Sequence, residues 1–395
     1  MRKKILFLIA IVIHVSLLQA QEPEQIYSTV KVEKPHEFYV QQAELWWKVI
    51  EKDKTNEDAW YNYYKANRYS LMTYKGINRF DGHRNYGWEK ESPYLKPLDE
   101  ILHLIEKNIP NSYTDLRLKK VGYPDDDEMF KNLEKAYSMR PNEADLYDAF
   151  VVYYEMKGNL AKRKEFNEKL FKSNEISSGF LNYGYNVLMT LKPNSIILTF
   201  GDNDTFPLWL LQDVLNIRSD VIVLNVPCLD SPEYQTAMFG KIGIKSNAKT
   251  YKDGSTSESE KEITDYILKN INLENHPLYI GLPAWQHLKE YENNLYLVGL
   301  ALEYTNGNMD NIAMLRNNFE NKYALDYLSN RFEYDMSGLI VDRVNINYLP
   351  GIFKLYEHYI ISGDLTQAKK MKDLGMLIAQ KGGQDWLDKA NAILK

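Results

Sequence analysis

Two apolar runs in the middle of the chain constrain its fold more than any other feature. "SIILTF" at Ser195–Phe200 and "VIVLNV" at Val221–Val226 are strand-sized, rich in β-branched residues and apolar without alternation. That pattern suits strands buried on both faces. Between them, Pro207–Val214 reads as a short helix, with Pro207 suited to its first turn. Strand, helix and strand in so short a span predict a parallel βαβ unit. "HPLYIGL" supplies a third strand and "LYLVGLALEY" a fourth, with a helix over Ser257–Asn270 and a loop over Lys245–Thr256 before it. Thr305-Asn306-Gly307-Asn308 is a turn signal that closes the region.

On both sides of this region the period changes. Gln41–Glu51, Asp58–Tyr69, Met129–Met139, Asp145–Met156 and Leu160–Lys172 carry apolar and aromatic residues at three- and four-residue spacing, which predicts helices. Pro141-Asn142 and Lys157-Gly158-Asn159 break them. The stretch "KAYSMRPNEADLYDAFVVYYEMKGNLAKRKEF" resembles a tetratricopeptide repeat. Pro141 matches the inter-repeat proline, Tyr154 an inward aromatic and Gly158 the turn glycine, while Arg163 stands near where a small residue is usual. "YEHYIISGDLTQAKKM" repeats the spacing with Tyr359, Gly363 and Ala368, and "EKDKTNEDAWYNYYKANR" is a degraded third unit. Such hairpins bury their apolar faces by stacking on neighbours. From Leu71 to Asp127 the period lapses except at Leu98–Lys107, and glycines and prolines punctuate an insertion. Asp125-Asp126-Asp127-Glu128 within it reads as a helix start. The expected class is therefore α and α/β, with tetratricopeptide-like helical hairpins flanking a small parallel-sheet α/β domain. The expected boundaries are a helical region at 21–175 with its insertion at 71–127, an α/β domain at 176–308 and a C-terminal helical region at 309–395.

The N-terminus reads as an address. Arg2-Lys3-Lys4 precedes an apolar run from Ile5 to Leu18, and Gln19-Ala20-Gln21 ends it. These are the parts of a secretory signal peptide over residues 1–20, and the run is shorter than the ~20 residues that span a bilayer. A periplasmic or outer-membrane-associated protein, with no transmembrane segment after signal cleavage, is expected. Cys228 is the only cysteine, so no internal disulfide can form, and it reads as a small residue next to a buried strand. The formal charge is −6, and losing the basic signal makes it more negative. Concentrated Lys and Arg, which nucleic-acid binding needs, are lacking. Thirty tyrosines and seven tryptophans point to helix-packing cores and to contact surfaces.

One constellation bears on chemistry. Thr199-Phe200-Gly201-Asp202-Asn203-Asp204-Thr205-Phe206-Pro207 lies at the carboxyl end of the first strand, where open α/β sheets bind ligands. Asp202 and Asp204, with the Asn203 amide between them, would stand beside a helix N-terminus. Such a group can bind a divalent cation or sugar hydroxyls. The same residues can instead cap the helix and close the turn. Both readings stand on the sequence. Thr205, Trp209 and Gln212 complete the candidate ligand-binding set, and Asp202 and Asp204 are the only metal ligands to consider. No Ser/His/Asp set, phosphate-loop glycine pattern or His/Cys metal spacing is present, so no cofactor is expected.

"NSIILTFGDNDTFPLWLLQDVLNIRSDVIVLNV" resembles the extramembrane C-terminal part of bacterial protein O-mannosyltransferase-like membrane proteins. The likeness continues through "GLALEYTNG", "NMDNIAMLRNNFENKY" and "NYLPGIFKLYEHYIISGDLTQAKK". Members of that family carry a multi-span membrane portion in which glycosyl transfer is expected. This sequence shows no such portion, so the resemblance implies an extracytoplasmic α/β module joined to repeat-like helices, not a transferase. The leading expectation is an exported cell-envelope binding or scaffold protein that engages a protein partner, with docking to an outer-membrane assembly in view. The alternative is a glycan-binding or glycan-processing module using Asp202-Asn203-Asp204.

Overall fold

The computed structural model describes residues 22–74, 87–119, 127–246, 256–283 and 288–395. The expected signal segment lies outside them, as do Asp125 and Asp126 and parts of the expected insertion and of the loop before Ser257. Two compact units divide the chain. One comprises the chain up to Thr29 together with Lys34–Leu118; the other comprises Val30–Glu33 together with Lys119–Lys395.

In the first unit, α1 (His36–Lys52) and α2 (Glu57–Thr73) pack along each other. Asn56 caps α2 by accepting from the Ala59 amide at 2.9 Å, and Glu57 and Asp58 favour its positive end. Tyr39, Ala43 and Ile50 of α1 share a buried core with Ala59, Trp60, Tyr63 and Ala66 of α2. Ile101 and Ile105 of α3 (Leu98–Asn108) join it, and α4 (Tyr113–Leu118) closes the unit. The aromatic wealth of the sequence is used here as core with satisfied polar tips. Trp60 Nε1 donates to the Lys54 carbonyl at 2.9 Å and the Tyr63 hydroxyl donates to the Tyr94 carbonyl at 2.6 Å.

The second unit opens with α5 (Asp127–Met139), α6 (Tyr147–Met156), α7 (Leu160–Lys172) and α8 (Ser178–Thr190). There follow β1 (Ile196–Thr199), α9 (Asp202–Leu215), β2 (Ile222–Asn225), α10 (Pro232–Lys241), α11 (Thr256–Asn270) and β3 (Leu278–Gly281). Next come β4 (Leu295–Leu297) and β5 (Ala301–Tyr304). Helices α12 (Ile312–Asn317), α13 (Asp326–Ser329), α14 (Gly338–Asn345), α15 (Leu349–Ser362), α16 (Leu365–Gly382) and α17 (Gln384–Ile393) end the chain. The class is α and α/β. Both stretches that read as the clearer repeat units form helical hairpins. Gly158 (φ 67°) ends α6 and Gly363 (φ 78°) ends α15 in the left-handed region. Asn159 and Asp364 then cap α7 and α16, each accepting a main-chain N–H at 3.1 Å.

The sheet order is β2-β1-β3-β5-β4. β1 runs parallel to both β2 and β3, as a βαβ unit requires, but β5 is antiparallel to β3 and to β4. The expected parallel sheet is therefore mixed. The cause is "LYLVGLALEY", expected as one strand, which folds back as the β4–β5 hairpin. Gly299 makes the bend at φ 144°, and a Cβ there would lie 1.9 Å from the Tyr323 hydroxyl. That hydroxyl accepts from the Leu300 amide at 3.0 Å and bonds Thr190 Oγ1 at 2.6 Å, so the bend is held from outside the hairpin. A second difference concerns α9, which starts at Asp202 and not at Pro207. Pro207 sits in its second turn and has no N–H to offer the Asn203 carbonyl. Its ring instead packs on α8, where a Cβ on Gly184 would meet Pro207 Cβ at 2.9 Å. Cys228 is half-buried beside the sheet core.

Candidate functional site

The turn from β1 into α9 is built by Asp204. Gly201 is extended and stands just before the helix. Asp204 lies three residues on, and its carboxylate reaches back as in a capping box. Oδ2 accepts from the Phe200 amide at 3.0 Å and Oδ1 from the Gly201 amide at 2.7 Å. Burial pushes this carboxyl up to about 6, against the opposing pull of the amides, and the charge of Asp202 adds to the rise. Gly281, at the end of β3, leaves room beside it: a Cβ there would stand 3.5 Å from Asp204 Oδ2.

Behind the turn runs a buried polar chain. Thr205 Oγ1 donates to Thr199 Oγ1 at 2.8 Å, and Asn225 Nδ2 donates to Thr205 Oγ1 at 2.9 Å. Asn225 Oδ1 accepts from the Cys228 amide at 3.1 Å. The chain fixes the carboxyl ends of β1 and β2 against the start of α9. Such fully paired networks rigidify and specify a core.

The six candidate residues thus divide. Asp204 and Thr205 close and lock the turn. Asp202 is exposed and Asn203 half-buried at the helix start. Trp209 is 1% exposed in the core, with Nε1 facing the Val223 carbonyl at 3.5 Å. Gln212 donates to the Arg218 and Val221 carbonyls at 2.9 and 2.8 Å and ties down the α9–β2 connection. Trp209 and Gln212 accordingly serve the body of the fold. Among the described residues, no three His, Cys, Asp or Glu side chains converge where they could hold a metal ion.

A charged cluster that the sequence reading did not assemble lies between helices. Arg163 of α7 grips Asp213 of α9 bidentately, Nε to Oδ2 at 2.9 Å and Nη2 to Oδ1 at 2.7 Å. Its Nη1 donates to Glu155 of α6. The Tyr234 hydroxyl of α10 donates to the other Glu155 oxygen at 2.6 Å, and Asn167 Nδ2 donates to Asp213 at 2.7 Å. The guanidinium also lies 5.6 Å from the Trp209 ring. Burial alone would lower the Arg163 pKa, but the Asp213 hydrogen bonds and the two carboxylate charges outweigh it and raise it. The signal was visible: Arg163 stands where the repeat pattern wants a small residue, and Glu155 interrupts the apolar run "FVVYYEM".

Residues 180–350 match the family described as TMEM260-associated domain 2. Comparison with curated proteins and with solved structures gives no match. The matched region holds all five strands, the Asp204 turn and the Gly299 bend. It also holds Asp213 and Tyr234, whereas Glu155, Arg163 and Asn167 precede it. The buried charge cluster therefore joins the matched region to helices outside it, within one compact unit.

Proposed function

We propose that this is an exported protein of the cell envelope, periplasmic or associated with the outer membrane, that engages a protein partner. In this reading it is an accessory module related to protein O-mannosyltransferase-like proteins and does not carry out glycosyl transfer. The match to a TMEM260-associated domain supports the accessory role. Among the described residues no helix is long and apolar enough to cross a membrane.

The observation that carries the reading is a short segment between α13 and α14. Phe332 is 94% and Tyr334 91% exposed, with Leu339 at 73% close behind on α14. Large apolar side chains exposed to water within one short segment are a mark of contact surfaces, and aromatics are enriched where proteins meet. The Asp204 turn supports the same reading from the other side, since both carboxylate oxygens are already used by main-chain amides. The test is a photo-crosslinking residue in place of Tyr334 in the full chain, expressed in its native envelope. A discrete protein adduct is expected. Illumination that yields none, with the chain exported and folded, refutes the proposal.

A further inference from the structure

In the first compact unit, the segment just after the expected signal lies across the seam between α1 and α2. Side chains, not a neighbouring strand, hold its main chain. Gln42 Oε1 accepts from the Glu24 amide at 2.8 Å, and Trp46 Nε1 donates to the Glu24 carbonyl at 3.0 Å. Asn62 Oδ1 accepts from the Ile26 amide at 2.9 Å, and Lys65 Nζ donates to the Ile26 carbonyl. Both main-chain groups of two residues, spaced by one, are thus taken up. That is the spacing at which an extended segment presents one face. The Ile26 side chain is 1% exposed in the α1–α2 core, while Gln25 and Tyr27 on either side are exposed.

The four side chains form one surface suited to the main chain of an extended segment. The helices contribute two positions each, Gln42 and Trp46 four apart on α1, and Asn62 and Lys65 three apart on α2. Residues so spaced lie on one helix face. Asn62 is pre-oriented, because its Nδ2 donates to the Asp58 carbonyl at 2.9 Å. These four bonds recognise main chain, and the one buried side chain asks only for an aliphatic group. Nothing in them is particular to residues 22–29. The fit also leaves something over: Gln42 is fully buried, and its Nε2 has no hydrogen-bond partner among the described residues. A buried donor left unmade is costly, and a ligand with a suitably placed acceptor would satisfy it. A segment held by four bonds and one side chain can open without unfolding the helices under it.

We propose that the α1–α2 seam is a binding site for an extended, aliphatic-containing peptide segment of a partner protein, and that the chain's own residues 24–26 occupy it until displaced. The inference rests on the reading of the protein as one that engages a protein partner. It names where an extended segment of that partner is held.

The experiment uses the full chain after signal removal and a fluorescent peptide of residues 22–29. In an Ile26→Asp variant the cis segment is expelled, and the peptide is expected to bind saturably. Wild type is expected to bind it at least about tenfold more weakly, because its own segment competes at an effective concentration on the order of millimolar. Adding Asn62→Ala to the Ile26→Asp variant removes one buried hydrogen bond and is expected to weaken binding by roughly tenfold. A folded Ile26→Asp variant that does not bind the peptide overturns the proposal. If that variant fails to fold, hydrogen exchange of wild type decides. Glu24 and Ile26 amides exchanging at least tenfold faster than the α2 core amides support displacement, and equal rates overturn it. A Tyr334 adduct in the envelope without peptide binding overturns this site while leaving the partner reading intact. Peptide binding without an adduct overturns the partner reading, and with it the assignment of this seam to a partner's segment, and leaves the seam as the seat of residues 24–26 alone.

Discussion

Arg163→Met is the substitution whose cost the structure defines best. Methionine keeps much of the packing volume but removes the only cation of the cluster. Glu155 and Asp213, whose side chains are 3% and 12% exposed, are left with a hydroxyl and an amide as their remaining partners. Removing one partner of a buried ion pair typically costs about 3–5 kcal/mol, because the other charge stays buried and uncompensated. Here two carboxylates are orphaned, so the upper half of that range is expected near pH 7. Equilibrium urea unfolding of both proteins at pH 7, followed by circular dichroism, measures this. Adding Asp213→Asn to Arg163→Met should recover part of the loss, because neighbouring members of one network are not additive. A deficit below about 1 kcal/mol would refute the reasoning.

Three further outcomes follow from the geometry. Asp204→Asn replaces one of two acceptors by a donor and should cost about 1–3 kcal/mol by orphaning the Phe200 or Gly201 amide. Because burial raises the Asp204 carboxyl from 3.8 to about 6, its protonation favours the fold at low pH and that contribution is lost as pH rises through 6. The melting temperature of Asp204→Asn should therefore vary less with pH than wild type between about 4 and 6. Lost glycan or divalent-cation binding at unchanged melting temperature would instead favour the glycan-binding alternative. Gly299→Ala drives a Cβ into the Tyr323 hydroxyl at a backbone angle that L residues avoid, and should cost at least about 2 kcal/mol, with partial rescue by Tyr323→Phe, read by urea unfolding. Replacing Phe332 and Tyr334 together by Ser should leave stability within about 0.5 kcal/mol while reducing capture of the proposed partner.

What the sequence made legible depended on how local the cause was. β1, β2 and β3 read correctly because their apolar runs are strand-sized and rich in β-branched or aromatic residues, which suits a sheet buried on both faces. Gly158 and Gly363 read as turn glycines because a left-handed residue at a helix end is a local requirement. The β4–β5 bend did not read, because no Asn-Gly or Asp-Gly signature marks it. Gly299 is required by Tyr323, which lies 24 positions further on among the helices that follow. The start of α9 was misplaced for a similar reason, since Pro207 is tolerated in the second turn by its contact with Gly184 of α8. At the candidate site, the sequence located the Asp202–Thr205 turn at a strand's carboxyl end, but it could not show that Asp204 bonds to its own turn. The Arg163 cluster joins residues as far apart as Glu155 and Tyr234, and the Gln42–Asn62 seam becomes a site only when residues 24–26 lie across it.

The buried cluster also bears on where the chain can be divided. A fragment that starts at residue 176, where the α/β pattern begins in the sequence, keeps the whole of the matched residues 180–350 but loses Glu155, Arg163 and Asn167. Asp213 then has no cation, and the α9 face that packs against α7 lies open, Trp209 with it. Losing a buried Arg163 partner and the apolar contacts of α6 and α7 together removes several kcal/mol from a domain whose net stability is about 5–15 kcal/mol. The fragment 176–395 is therefore expected to be aggregated or molten in solution. The fragment 119–395 retains the cluster and is expected to melt cooperatively. Circular dichroism melts and size-exclusion chromatography of the two decide it. A monomeric, cooperatively melting 176–395 would mean that the cluster is an addition to a self-sufficient α/β and C-terminal helical body, and that α6 and α7 are the accessory part.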